Sequence, residues 1–308
     1  MGKIAFVFPG QGAQAVGMGK DAYESSEAAQ SIYNQADEAL GFPISKLSFE
    51  GPEDELRQTA NTQPALLATS IALLEVYKKH GLKPDYVAGH SLGEYSALVA
   101  AGVLKFDDAI KLVRARGLFM EQAVPGGQGA MAAVLGAERA ALQALCADIT
   151  AGGAVVELAN VNCPGQIVVS GSAEGVAAVG ERGKEAGAKR VIPLEVSGPF
   201  HSSLMQPAAD NLAQELAKAE FRDAEVPVVA NVHAKSVTSG DELRELLVKQ
   251  VVSPVQWEDT IGYLIGEGVD TFVEIGSGTV LAGLIKKIDK SVQVISVNSA
   301  SAAEAVAQ

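Results

Sequence analysis

Tyr86-Val87-Ala88-Gly89-His90-Ser91-Leu92-Gly93-Glu94 holds two kinds of backbone pattern within a single short stretch. Tyr86–Ala88 is apolar and reads as a buried strand, while Tyr95, Leu98 and Val99 follow at helical spacing. Between them stands G-x-S-x-G. A strand that turns sharply into a helix needs glycine on both flanks of the turn, because side chains there would collide. The turn lifts the Ser91 hydroxyl clear of the sheet. It also aims the first helical N–H groups, that of Leu92 among them, at the place where an oxyanion forms. Ser91 is the candidate nucleophile.

Working outward, Ile4–Phe8 is a second short apolar strand, and Thr62–His80 reads as a helix whose apolar face carries Leu66, Leu67, Ile71, Leu74 and Val76. Asp107 and Asp108 start a helix that runs to about Gln122. Later strands are expected at Val226–Asn231, Thr271–Ile275 and Gln293–Val297. Strands alternating with helices imply a mostly parallel sheet covered on both faces. The middle differs. Pro125-Gly126-Gly127-Gln128-Gly129 breaks the pattern, and after it come a strand (130–135), a helix (137–147), two strands around Pro164-Gly165, a helix (173–186) and a strand (190–196). That βαββαβ order is the ferredoxin-like unit, and Ser197-Gly198-Pro199 closes it. The fold class expected is α/β: a large α/β-hydrolase-like core with a mostly parallel sheet, residues 1–126 and 198–308, plus an inserted small ferredoxin-like subdomain, residues 127–197. A cleft between the two is a natural ligand site.

Of the 308 residues, 48% are apolar and 20% charged, which suits a chain that buries a sizeable core. The net charge of −13 argues against nucleic acid or anionic membrane as a general partner. No stretch approaches the roughly 20 apolar residues of a membrane span. Ile4–Phe8 is too short for a signal-peptide core, and Phe6 stands where a myristoylation signal wants Ser or Thr. Cys146 and Cys163 match no metal-ligand spacing. The expectation is a cytoplasmic protein without metal.

The base for Ser91 must come from one of four histidines. His90 points to the other side of the chain from Ser91 and suits a packed support. His80 ends a surface-type Lys78-Lys79-His80 run, and His233 precedes a polar turn. His201 lies in Gly198-Pro199-Phe200-His201, where the chain re-enters the large unit at the rim of the cleft, and is the candidate base. No acid to orient it is evident. Gln250, ending the helix 241–250, offers carbonyl oxygens that can hold the imidazole, a dyad variant of the usual triad.

Arg116 sits mid-helix with Leu112, Val113, Phe119 and Met120 at three and four residues' distance, so its face turns inward. A buried guanidinium needs an anion. Either an internal Asp or Glu supplies it, or a substrate carboxylate does. Gly10-Gln11-Gly12-Ala13-Gln14-Ala15 fits the dinucleotide fingerprint formally, but residues 21–40 are polar and helical and no second strand returns until about Tyr86, so that reading fails. The loop can instead bring the Gln11 N–H to the nucleophile as a second oxyanion donor.

Taken together, Phe8-Pro-Gly-Gln11-Gly12, Gly89-His-Ser91-Leu92-Gly93-Glu94, Arg116-Gly-Leu-Phe-Met120, Asn160-Val-Asn162-Cys-Pro-Gly-Gln166, Gly198-Pro-Phe-His201 and Gln250-Val-Val-Ser-Pro254 resemble the malonyl-CoA:acyl carrier protein transacylase family of fatty acid synthesis. The resemblance spans essentially the whole chain, with the motifs in order. It implies Ser91 as nucleophile, His201 as base with Gln250 as its partner, and the Gln11 and Leu92 amides as oxyanion hole. It also implies Arg116 as malonate clamp, and Phe200 as the bulky residue that disfavours a 2-methyl branch. Asn160, Asn162 and Gln166 match its cleft-lining polar residues, and Glu274–Thr279 reads as a structural turn. The implied partners are malonyl-CoA and a transiently docked, acidic acyl carrier protein serving a monomeric enzyme without a resident cofactor. Lys184, Lys189 and Arg190, or Lys286, Lys287 and Lys290, can supply a basic docking patch, and equally suit a solvated surface. A serine hydrolase, a non-catalytic binding protein and an acyltransferase serving a polyketide pathway are the competing readings.

Overall fold

Alternating residues of β1 (Lys3–Phe8) point to opposite faces of the large sheet: Phe6 and Phe8 enter one apolar cluster, Ala5 and Val7 another. A strand buried on both faces belongs in the middle of a parallel sheet. The computed structural model, which describes residues 2–80 and 82–306, puts it there. The other strands among those residues are β2 (Tyr86–Gly89), β3 (Gly129–Leu135), β4 (Val156–Cys163), β5 (Gln166–Ser172), β6 (Arg190–Pro193), β7 (Val228–Val229), β8 (Ser236–Val237), β9 (Val269–Ile275) and β10 (Gln293–Val297).

They form two sheets. The first runs β10-β9-β1-β2-β7-β8 and is parallel except for β8, which pairs antiparallel with β7. The second runs β4-β5-β3-β6 and is antiparallel throughout, with the helices Arg139–Ala151 and Ala173–Arg182 between its strands and a separate apolar cluster. A backbone bridge joins the two units: Val161 N–H donates to the Val255 carbonyl at 2.9 Å, and Val255 N–H to that of Ala159 at 2.8 Å.

Three expectations need correction. The strand expected at 226–231 shrinks to two paired residues, because Pro227 cannot donate to a ladder and the chain turns at Asn231. The strand expected to reach Val196 stops at Pro193. The helix expected at 62–80 with one apolar face spans Thr59–Tyr77 and is buried nearly all round, so it carries no strong amphipathic pattern. Pro64 lies inside it and cannot bond the Ala60 carbonyl. Arg114 Nη1 occupies that acceptor instead, at 2.7 Å. No helix among the described residues is long and apolar enough to cross a membrane.

Candidate active site

Adjacent parallel strands deliver their following loops to the same edge of a sheet, and ligand sites of α/β folds gather there. Three neighbouring strands do so here. The loop after β1 carries Gln11, the turn after β2 carries Ser91, and the chain leaving β7 carries Asn231. The turn at Ser91 is very tight. A Cβ on Gly89 would stand 1.9 Å from the Gly93 carbonyl carbon, and one on Gly93 would stand 2.1 Å from the Phe8 carbonyl oxygen. Ser91 itself takes the left-handed region, φ 51°. Asn231 pins the turn on both sides: its Oδ1 accepts from Ser91 N–H at 2.8 Å, and its Nδ2 donates to the Gly89 carbonyl at 2.7 Å.

The His201 imidazole reaches this hydroxyl, with Nε2 2.7 Å from Ser91 Oγ. Its Nδ1 lies 2.9 Å from the backbone carbonyl of Gln250. A carbonyl only accepts, so Nδ1 carries the proton and Nε2 is the free acceptor facing Ser91. Gln250 is the last residue of the helix Gly240–Gln250, where carbonyls lack intrahelical partners. Burial, helped by the nearby Arg116 charge, lowers the His201 pKa to about 3. The imidazole is therefore neutral at physiological pH and oriented by a neutral oxygen.

Arg116, on the helix Phe106–Gln122, is 1% exposed. Its Nη2 donates to Ser91 Oγ at 3.1 Å and to Gln250 Oε1 at 2.9 Å, and its Nη1 to Gln63 Oε1 at 2.8 Å. The guanidinium also lies 5.5 Å from the Tyr95 ring centre. Of the two partners that sequence left open, the internal acid is absent: among the described residues no carboxylate pairs directly with Arg116, and its Nε–H is buried without a partner. The Gln250 side chain thus serves Arg116, and only its backbone oxygen serves the imidazole.

Among the described residues neither the Gln11 nor the Leu92 backbone N–H donates to another protein group. Ser91, His201, Gln11, Asn160 and Phe200 line a cavity of about 120 Å³ whose remaining wall includes Met120, Met131 and Leu194. A second cavity, about 260 Å³, shares Gln11, His90, Asn160 and Leu194 with the first and adds Asn162, Gln166 and Val280. His90 turns away from Ser91 as expected, its Nε2 2.8 Å from Asn162 Oδ1. The Glu274 carboxylate accepts from the Leu281 and Ala282 N–H groups, so it caps the helix Val280–Ile288.

An acyl transferase domain model matches residues 5–306. The malonyl CoA-acyl carrier protein transacylase of Bacillus subtilis is 54% identical over 308 residues, covering 100% of this chain and 97% of that protein. The chain belongs to the malonyl CoA-acyl carrier protein transacylase family. A crystal structure of an acyl carrier protein S-malonyltransferase from Vibrio cholerae superposes with a TM-score of 0.96 at 46% identity, covering 99% of both chains. A structure of a type II PKS acyl-carrier protein in complex with its malonyl-transacylase gives 0.95 at 43% identity, covering 98% of both.

Sequence reasoning about this family member passed over Gln63, Asn231 and Glu94. Asn231 ends a strand expected from the sequence, next to the one that carries Ser91, and assigning the loops to one sheet edge makes it legible. Gln63 lies on the buried helix one turn before Leu66 and Leu67, and its place on their face is the signal. Glu94 belongs to the Gly89–Glu94 motif, but no local pattern shows what its carboxylate meets.

Proposed function

We propose that the chain moves malonyl from malonyl-CoA to the phosphopantetheine thiol of acyl carrier protein, through an ester on Ser91, in fatty acid biosynthesis. The observation that carries this reading is a buried guanidinium with no acid partner among the described residues, 3.1 Å from a hydroxyl that a neutral imidazole contacts at 2.7 Å. A hydrolase of neutral esters has no use for that charge. Arg116 makes three hydrogen bonds with five N–H groups and has donors to spare for a substrate carboxylate.

His201 Nε2 takes the Ser91 proton as Oγ attacks the thioester carbonyl. The oxyanion rests on the Gln11 and Leu92 N–H groups. The C–S bond breaks, His201 returns the proton to the departing CoA sulfur, and malonyl-Ser91 remains. The carrier thiol then gives its proton to His201 and attacks the ester; the C–O bond breaks, His201 returns the proton to Ser91 Oγ, and malonyl is left on the carrier sulfur. Gln250 orients the imidazole. Phe200 and the two methionines confine the acyl group, while Asn160, Asn162 and Gln166 border the pantetheine arm in the larger cavity. Leu194 and Val280, 37% and 51% exposed, stand on the wall of that cavity. The reaction calls on no resident cofactor. We read the enzyme as a cytoplasmic monomer that docks its acidic carrier on local basic residues.

The all-antiparallel sheet and βαββαβ order between Gly129 and Pro193 support a ferredoxin-like subdomain over 127–197, inserted in an α/β-hydrolase-like core of 1–126 and 198–308. The test of function is mass spectrometry after brief incubation with malonyl-CoA. A malonyl adduct on Ser91, discharged by holo acyl carrier protein and absent in Ser91→Ala, is expected. Free malonate without an adduct would overturn the reading in favour of a hydrolase.

A further inference from the structure

Glu94 is a buried carboxylate, 1% exposed, on the first turn of the helix that starts at the nucleophile. The reaction as described makes no use of it. Its Oε2 accepts from two residues that each hold part of the site. Gln250 Nε2 donates to it at 2.9 Å, and Asn231 backbone N–H at 3.2 Å. The Gln250 amide has two ends. Nε2 faces Glu94, the Ser91 carbonyl at 3.0 Å and Asn231 Oδ1 at 3.3 Å, while Oε1 faces Arg116. Turned over, it would set its oxygen against a carboxylate and its NH2 against a guanidinium. Both contacts are repulsive, so Glu94 and Arg116 carry the charged part of what fixes the amide, alongside the neutral Ser91 and Asn231 oxygens.

We infer that Glu94 is a positioning residue for acyl selection: as an anion it orients the Gln250 amide, so that Oε1 holds the Arg116 guanidinium beside Ser91 for a substrate carboxylate. This rests on the function proposed above. The placement at a helix N-terminus favours the anion, as do the two donors and the Arg116 charge, while burial opposes it and raises the carboxyl to about 7. The ionisable groups around it are Arg116 from the facing helix, Tyr95 on its own helix, and His201 behind the Gln250 carbonyl. The base serves every acyl group alike. A ratio of two substrates therefore cancels His201 and leaves the clamp.

The experiment compares kcat/KM for malonyl-CoA and acetyl-CoA in the wild type and in Glu94→Gln. The variant is expected to lower the malonyl-to-acetyl ratio about tenfold, chiefly through KM for malonyl-CoA. A folded variant with the wild-type ratio overturns the inference. Should Glu94→Gln not fold, the wild type decides alone. Its ratio is expected to fall at least threefold from pH 8 to pH 6, a range in which the malonyl carboxylate stays ionised, and a flat ratio overturns the inference. Failure of the proposed function looks different, because no malonyl-Ser91 adduct then forms in the wild type at any pH.

Discussion

Ser91 and His201 both hold left-handed backbone, φ 51° and 57°, and it is in those conformations that Oγ and Nε2 meet at 2.7 Å. Non-glycine residues in that region cost on the order of 1–3 kcal/mol each. Asn tolerates the conformation better than most residues and lacks the basic ring nitrogen. His201→Asn is expected to melt within a few degrees of the wild type, while CoA release from malonyl-CoA slows on the order of 10³-fold, as for loss of a general base. A melting temperature lowered in step with activity would make His201 a structural residue.

With its pKa lowered to about 3, the imidazole is already neutral at every pH used for assay. Reaction of Ser91 with a neutral serine-directed organophosphorus probe is expected to change less than twofold between pH 8 and 5.5. A tenfold drop with a midpoint near 6.5 would show an ordinary imidazole. Stability follows the same group. Between pH 6.5 and 3 the unfolded chain binds a proton here that the folded chain refuses, so this contribution to stability declines as pH falls through that window.

Arg116→Ala removes the buried charge beside Ser91 Oγ. Malonyl transfer is expected to fall on the order of 10²-fold or more, consistent with a charge-assisted contact worth roughly 3 kcal/mol. Acetyl transfer is expected to fall far less. Normal malonyl transfer by this variant would remove the clamp from the mechanism.

Asn231→Asp keeps the acceptor for Ser91 N–H but sets an oxygen against the Gly89 carbonyl, where Nδ2 now donates at 2.7 Å. A buried acceptor facing an acceptor costs roughly 1–3 kcal/mol. The rate of Ser91 acylation is expected to fall tenfold or more in stopped-flow measurement of CoA release, with KM little changed. A wild-type rate would mean that the elbow holds its shape without this residue.

Phe200 lines the smaller cavity together with Met120 and Met131. Phe200→Ser opens that wall, and the kcat/KM ratio of methylmalonyl-CoA to malonyl-CoA is expected to rise about tenfold. An unchanged ratio would place the selecting wall elsewhere.

The parts legible in sequence were those written locally. The elbow announces itself because steric need forces two glycines around Ser91, and His201 stood out because there are only four histidines and a breaker precedes it. The inward face of Arg116 followed from helical spacing. What it faces did not, because Gln63, Ser91 and Gln250 approach it from separations of 53, 25 and 134 residues. The same holds for Glu94, whose two donors lie 156 and 137 residues away along the chain. The choice between the two oxygens of Gln250 depended on where the helix 240–250 ends relative to His201, a matter of packing. The strand near Val228 was overestimated because apolar composition does not reveal how soon Pro227 and Asn231 interrupt the ladder.

The bridge from Ala159 and Val161 to Val255 ties the smaller sheet to the very segment that props the imidazole, five positions beyond Gln250. Swinging one unit away from the other would drag that prop and part the Ser91–His201 pair. The seating of the smaller sheet against the larger and the placement of the imidazole are therefore coupled through one short stretch of chain.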